Sequence, residues 1–537
     1  MKKILLNIKS KRLLMILLLI ATYSITLAQT NSNLSNLLNF DGEPYIAVNP
    51  ANQNNIIAGW MRLRADGKIW IATKASFDKG QTWSAINFMP HDTTINGSAD
   101  VSIAFHNSGI AYLSWINYRQ APDTAGAVFV SKSTDGGLTW GTPNKVIGSS
   151  DLPDNPFDRP WIVADNSGGA NDGAIYVTSM TAYSQAGQHH IYLRTSTDGG
   201  LTWSTIKQVD NNAFSVGSLT ASYGGISIGN DGKAYIAFIS YDVSASPFIR
   251  YYSVTTSDLG ITFQRNVIAT AFISAGSGYT RAWSIDANPT MIGNAVLTWV
   301  DNRNGDYDIL LSKTTNGGLS WSSPIRVNDD VVNNGIEQDM VWADFSPSGK
   351  LAVAWRDRRL NGIGSTVPFD IYCAISSDSA NSFSSNFRAT SVSNPYFLVP
   401  QGNSFIGCAM SDSSVYLNWG DYRNSPDWDI YFNKTDVSTL NTSANEIQPT
   451  PKSAITIFPN PANNAIQVSF ALPSLYSNSV IIIFNLAGQI MKIIPVPLNQ
   501  SEIHSQQIDI SHFSPGSYFL FLKSNNTYFK NTTFIKK

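Results

Sequence analysis

The chain is poor in cysteine and in charge. Cys373 and Cys408 are its two cysteines, too few for a disulfide framework. They read as two small buried side chains, or as a pair formed in an oxidising compartment. Charged residues make up 14% of the chain and the net charge is −2, which supplies no general attraction to nucleic acid or anionic membrane. No C-x-x-C, H-E-x-x-H, P-loop or G-x-G-x-x-G pattern occurs, so no metal or cofactor is expected. Long apolar runs are missing outside the N-terminus. There, Met1–Arg12 is basic, Leu13–Ala21 is apolar, and Thr26-Leu27-Ala28 offers a small-residue cleavage site. Residues 1–28 therefore read as a secretory signal peptide, too short to span a bilayer comfortably, with no transmembrane segment in the mature chain.

What the chain does contain is a repeat. Ser133–Trp140 reads STDGGLTW, and the same eight letters return at Ser196–Trp203. Looser copies stand at Ser76–Trp83, Thr256–Phe263, Thr314–Trp321 and Ser376–Phe383. The pattern S/T-x-D-x-G-x-x-W places Asp78, Asp135, Asp198, Asp258, Asn316 and Asp378 at equivalent positions, at an interval of about 60 residues that signals a repeat architecture. Asp suits a turn because its carboxylate accepts backbone N–H groups. Gly supplies a backbone angle that other residues resist, and Trp buries a large ring. The box is therefore read as structural. Two short apolar runs and a third precede each box, and a fourth follows it. Four short strands per repeat make a propeller blade.

The box resembles the Asp box, or bacterial neuraminidase repeat, of sialidase-like β-propellers. A seventh repeat without a box follows the sixth, at Phe405–Met410, Val415–Trp419 and Asp429–Lys434, and it lacks a fourth strand. Asn33–Phe40 could supply that strand and close the ring. Seven blades are predicted over residues 29–437, with six as the alternative. Residues 438–453 are Ser/Thr/Asn-rich with two prolines and read as a linker. Residues 454–537 alternate short apolar runs with turns, which predicts a small Ig-like β-sandwich. The fold class expected is thus all-β. The terminal segment is also similar to the type A sorting domain of the type IX secretion system. Phe458-Pro459-Asn460-Pro461, Leu486-Ala487-Gly488, Pro515-Gly516-Ser517-Tyr518 and Phe534-Ile535-Lys536-Lys537 carry that resemblance. It implies partnership with the type IX machinery, passage through the periplasm, and a secreted or outer-surface location.

Candidate site residues come from two patterns. The first is W-x-D/N-x-R at the end of the second strand: Trp115–Arg119, Trp299–Arg303, Trp355–Arg359 and Trp419–Arg423, with Trp60–Arg64 carrying Arg in the acid slot. Period-two spacing puts Trp, acid and Arg on one side of the strand. Arg303, Arg359 and Arg423 could bind an acidic sugar, or each could tie down its own blade. On the second reading they would pair with Asp308, Asp370 and Asp429 at the start of the next strand. The second pattern is the repeat-breaking residues. They include Arg159 in Phe157-Asp158-Arg159-Pro160, Arg281, Glu43 and Tyr45 in blade 1, Glu337 and Tyr422. The sialidase resemblance implies an arginine triad, a Tyr nucleophile helped by Glu, and an Asp acid/base. Its F/Y-R-I-P motif is missing before the first box. Arg159, Arg281 and one of Arg303, Arg359 or Arg423 could form the triad, with Tyr45 or Tyr422 as nucleophile beside Glu43 or Glu337. Two functions stay open: a sialidase-like glycoside hydrolase releasing acidic sugars, or a non-catalytic propeller that binds glycan or a surface protein.

Overall fold

The computed structural model describes residues 31–36, 40–92, 96–119, 126–148, 150–152, 157–182, 189–210, 223–241, 248–274, 282–364, 366–395, 404–424, 426–440, 456–471, 479–485, 489–496, 503–524 and 527–537. The expected signal peptide, most of the linker and Arg281 lie outside them.

Among these residues the chain is built from antiparallel sheets. Seven four-stranded sheets follow one another along the chain. The first six occupy residues 41–88, 96–147, 157–208, 225–274, 284–326 and 338–388, and are called blades 1 to 6. Blade 7 contains Gly407–Met410, Ser414–Asp421 and Asp429–Asp436, and its outer strand is Ser32–Asn33. Ser32 pairs with Phe432 and Asn33 with Tyr431. The Asn33 side chain also donates to Asp429 at 2.7 Å, so the start of the propeller is stitched to its end. The innermost strands touch one another round a closed ring, blade 7 against blade 1.

The alternation of each sequence run explains its strand, and the buried side of one blade meets the next. Trp60, Trp115, Trp299, Trp355 and Trp419, one from each of five second strands, are fully buried there. The boxes fasten the opposite ends. In blade 2, Ser133 Oγ donates to Asp135 at 2.8 Å, and the Thr139 amide and hydroxyl donate to the same carboxylate. Trp140 Nε1 then reaches Thr73 of blade 1 at 3.1 Å. Asn316 accepts from the Ser320 amide in the same way. Hydrogen bonds from the Thr202 hydroxyl and amide hold Asp198 down to about 2. The boxes thus do structural work.

Cys373 and Cys408 are both buried and free. The C-terminal segment forms a three-stranded sheet (Thr456–Phe458, Ala465–Ala471, Ile503–Asp509) and a four-stranded one (Ile490–Pro495, Val480–Asn485, Gly516–Ser524, Thr527–Lys536). Ile466, Val468 and Phe470 share one core with Ile481, Ile483, Leu520 and Leu522, which makes a sandwich.

Candidate functional site at the channel mouth

First, second and third strands alternate in direction. The starts of first strands and the ends of second strands therefore share one face, away from the boxes. The W-x-D-x-R arginines sit on that face, and their partners differ from the sequence expectation. Arg303 binds Asp301 of its own motif through Nε at 2.9 Å and Nη2 at 2.8 Å. Arg359 binds Asp357 at 2.8 Å, and Arg423 binds Asp421 at 2.6 Å. The expected partners Asp308 and Asp370 pair instead with Arg326 and Arg388 of the fourth strands, at 2.6 and 2.7 Å. Asp429 is held by Asn33, Ser35 and Asn424. The reason is local. The second strand of blade 5 ends at Asp301, so Arg303 lies in the turn, where its guanidinium folds back on Asp301.

Each arginine also crosses to the preceding blade. Arg303 donates to the Thr270 carbonyl at 2.8 Å, Arg359 to Asp329 at 2.6 Å, and Arg423 to the Val392 carbonyl at 3.2 Å. In blade 1 Arg62, in the acid slot, pairs with Asp41 at 2.6 Å and reaches the Ser35 carbonyl at 3.1 Å. The motif tryptophans donate Nε1 to the same carboxylates: Trp299 to Asp301, Trp355 to Asp357 and Trp419 to Asp421. These groups are inter-blade clamps.

A different cluster forms where the first strands begin. Four of them carry a bulge at the same place: between Gly42 and Tyr45, Ala99 and Ser102, Asp158 and Trp161, and Asp339 and Trp342. Each bulge holds a non-glycine residue at positive φ: Glu43 at 47°, Asp100 at 54°, Arg159 at 48° and Met340 at 51°. Such conformations are costly and concentrate at functional sites. The bulges of blades 1 to 3 bring Glu43, Asp100, Asp158 and Arg159 together. Asp100 and Asp158 both accept from the Arg159 amide, at 3.3 and 3.0 Å, and Glu43 stands close enough for its charge to act on Asp100. Burial first, then the Glu43 charge, push Asp100 up to about 7. Burial and Asp100 push Asp158 up as well.

Arg159 lies over the Phe405 ring, 5.1 Å from its centroid. Unlike the clamp arginines, it makes no ion pair or side-chain hydrogen bond among the described residues. Behind this cluster Tyr45, Trp161 and Trp342 close the channel, with centroids 5.5 to 6.1 Å apart. By contrast, blade 6 neutralises its rim. Burial alone would raise Asp339, yet Arg356 and Arg358 hold it down to about 2.

Of the residues expected to be catalytic, only Glu43 joins the cluster. Tyr45 belongs to the plug, where burial and the carboxyls of Asp344 and Asp286 raise its phenol far above the ordinary value, the reverse of what a nucleophile needs. Glu337 lies at the rim of blade 6, its carbonyl accepting from Arg358 at 3.3 Å. Tyr422 lies against Trp428, centroids 5.5 Å apart, in blade 7. Asp100 and Asp158 were not singled out by the sequence. An acid beside the start of a first-strand apolar run, as in Asp100-Val101, was the available signal.

Residues 456–537 match the family model of the secretion system C-terminal sorting domain. They carry a type IX sorting tail, which indicates export to the cell surface or beyond. No curated protein matches the chain in sequence. Among solved structures the chain is similar to the Hadza microbial sialidase Hz136, at 14% identity and TM-score 0.42 over 70% of this chain and 74% of that one. It is similar to a Penicillium chrysogenum α-L-arabinanase complexed with arabinobiose, at 12% identity and TM-score 0.41 over 76% and 99% of the two chains. A protein of unknown function from Dyadobacter fermentans aligns at 14% identity and TM-score 0.42 over 64% and 96%.

Proposed function

We propose that the protein is an exported propeller that engages glycans at the channel mouth, by binding and not by sialidase-type cleavage. The observation that carries this reading is the contrast among arginines. Among the described residues Arg303, Arg359 and Arg423 clamp the blades, whereas the Arg159 guanidinium makes no ion pair and lies beside carboxyls and the Phe405 ring. Carboxylate and guanidinium oxygens and nitrogens suit the hydroxyls of a sugar, and an aromatic ring suits its apolar face. One guanidinium among three carboxyls favours a neutral sugar over an acidic one. The sorting tail would deliver this site to the cell surface.

One observation favours a hydrolytic second reading: burial pushes Asp100 up to about 7 and raises Asp158 beside it, the direction a general acid needs. The two carboxyls share the Arg159 amide, however, whereas the two carboxyls of glycoside hydrolases stand ~5–9.5 Å apart. A glycan array, with fluorogenic sialosides and neutral glycosides run in parallel, separates the readings. Binding that Arg159→Ala weakens at least about tenfold, without leaving-group release, is expected. Turnover that Asp100→Asn lowers by ~10²–10⁴ would replace binding with hydrolysis. No glycan retained and no glycoside cleaved would end both.

A further inference from the structure

Below the aromatic plug the channel opens again, toward the Asp-box face. A cavity of about 480 Å³ lies there, walled by the first strands of all seven blades. Tyr45, Trp161 and Trp342 form its floor, and Trp161 Nε1 is buried with no acceptor. Asp286 and Asp344 stand on its wall, and no Lys, Arg or His lines it. Asp286 accepts from Ser227 Oγ at 2.6 Å and from the amides of Ala287 and Phe345 at 2.9 and 2.7 Å. Asp344 accepts from the Met410 amide at 2.6 Å. These donors are neutral, so the protein supplies two adjacent acids and no counter-charge.

We propose that this cavity binds a small organic ammonium ion, its nitrogen on Asp286 and Asp344 and its body against Tyr45, Trp161 and Trp342. Aromatic faces attract cations, most strongly where water is excluded. The volume suits a small molecule. A hard divalent metal fits less well. Such ions take six or more oxygens, and the described residues hold no group of three His, Cys, Asp or Glu able to bind a metal.

The titratable groups facing the cavity are Asp286, Asp344, Tyr45, Tyr223 and Cys408. Burial keeps both tyrosines and the thiol neutral. Burial also raises Asp286, up to about 6, and Asp344 is raised further by burial and by Asp286. The two aspartates are therefore the groups whose charge a bound cation would shift. A bound cation favours their ionised forms, so binding releases protons and tightens as pH rises.

The test is calorimetry on the mature protein with benzylammonium, its neutral counterpart benzyl alcohol, and calcium. Benzylammonium should bind at one site, at least about tenfold tighter near pH 8 than near pH 5.5. Comparing buffers of different ionisation enthalpy should show proton release. Asp286→Asn and Asp344→Asn should each weaken binding at least about tenfold, and Asp344→Asn should leave the melting temperature nearly unchanged, because one amide oxygen still accepts from the Met410 amide, whereas Asp286→Asn turns a donor toward a group that donates to Asp286. Equal binding of benzyl alcohol, unchanged binding in the double variant, binding of calcium alone, or no binding of benzylammonium would each overturn the proposal. The aromatic plug separates this cavity from the channel mouth, so its success or failure is independent of the glycan reading.

Discussion

Blades 5 to 7 and blades 2 and 3 treat their rims in opposite ways. In blades 5 to 7 the motif carboxylates Asp301, Asp357 and Asp421 each bind the arginine of their own motif, and each motif arginine also reaches the blade before it. In blade 2 Asn117 takes the acid slot, a neutral acceptor for Trp115 at 3.0 Å and Ser98 at 2.8 Å. The rim acids of blades 2 and 3, Asp100 and Asp158, face each other. Matched charge ties the blades of one half of the ring together, while the other half leaves the rim acids Asp100 and Asp158 without an arginine ion pair among the described residues.

The strongest way to break this comparison is to remove a clamp. Asp357→Ala leaves Arg359 without the carboxylate of its own motif and Trp355 Nε1 without an acceptor, both in a buried setting. Breaking one side of such a pair costs about 3–5 kcal/mol. Asn117→Ala in blade 2 removes hydrogen bonds but no ion pair, the one to a charged group being the long 3.4 Å contact with Asp92, and should cost about 1–3 kcal/mol. Urea unfolding of the two variants decides the point. Equal losses would mean that the charges in blades 5 to 7 add nothing beyond hydrogen bonding.

The unmatched half should respond with the opposite sign. The folded-state pKa of Asp100 lies above its usual value, so the folded protein holds a proton that the unfolded chain has released. Its contribution to stability is fully present below about pH 4 and is lost as pH rises toward 7. Asp100→Asn removes that loss. The variant should be more stable than the parent at pH 8, by on the order of 2–4 kcal/mol at ~1.4 kcal/mol per pKa unit, and should match it near pH 4. Melting curves across this range test it, and a variant less stable than the parent at pH 8 would show that Asp100 is a structural group.

How far the sequence reached follows from the range of each interaction. The boxes are local, so Asp135 and Thr139 could be read from spacing alone. That a stretch before blade 1 completes blade 7 followed from the count of strands, but the strand is Ser32–Asn33 and overlaps the expected Asn33–Phe40 only at Asn33. The arginine pairing went astray because alternation was extended past Asp301, where the strand has ended and the turn sets the direction of Arg303. The channel mouth and the cavity were illegible for a different reason. Glu43, Asp100 and Arg159 lie about one repeat apart in sequence and meet only because bulges in three blades aim them at one axis.

The smallest effects test the boxes themselves, where blades 2 and 6 differ by one methyl group. Gly137 has φ of 93°, and an added Cβ would stand 2.5 Å from Ile57 Cδ1 of blade 1. Gly137→Ala therefore combines left-handed backbone with overpacking between blades, at about 1–3 kcal/mol. In blade 6 the same position is Ala380, at φ of 60°, fully buried, its amide donating to Ser376 Oγ at 2.9 Å. That blade has already made room for the methyl group. Ala380→Gly relieves ~1 kcal/mol of left-handed strain but loses a buried methyl group worth ~0.8 kcal/mol and loosens the unfolded chain. The terms nearly cancel, and the change should stay within about 1 kcal/mol. Denaturation midpoints measured side by side settle the contrast. If Ala380→Gly destabilised the protein as much as Gly137→Ala, the box glycine would be replaceable wherever the neighbouring blade recedes only by an accident of sequence, and inter-blade packing would not be what selects it.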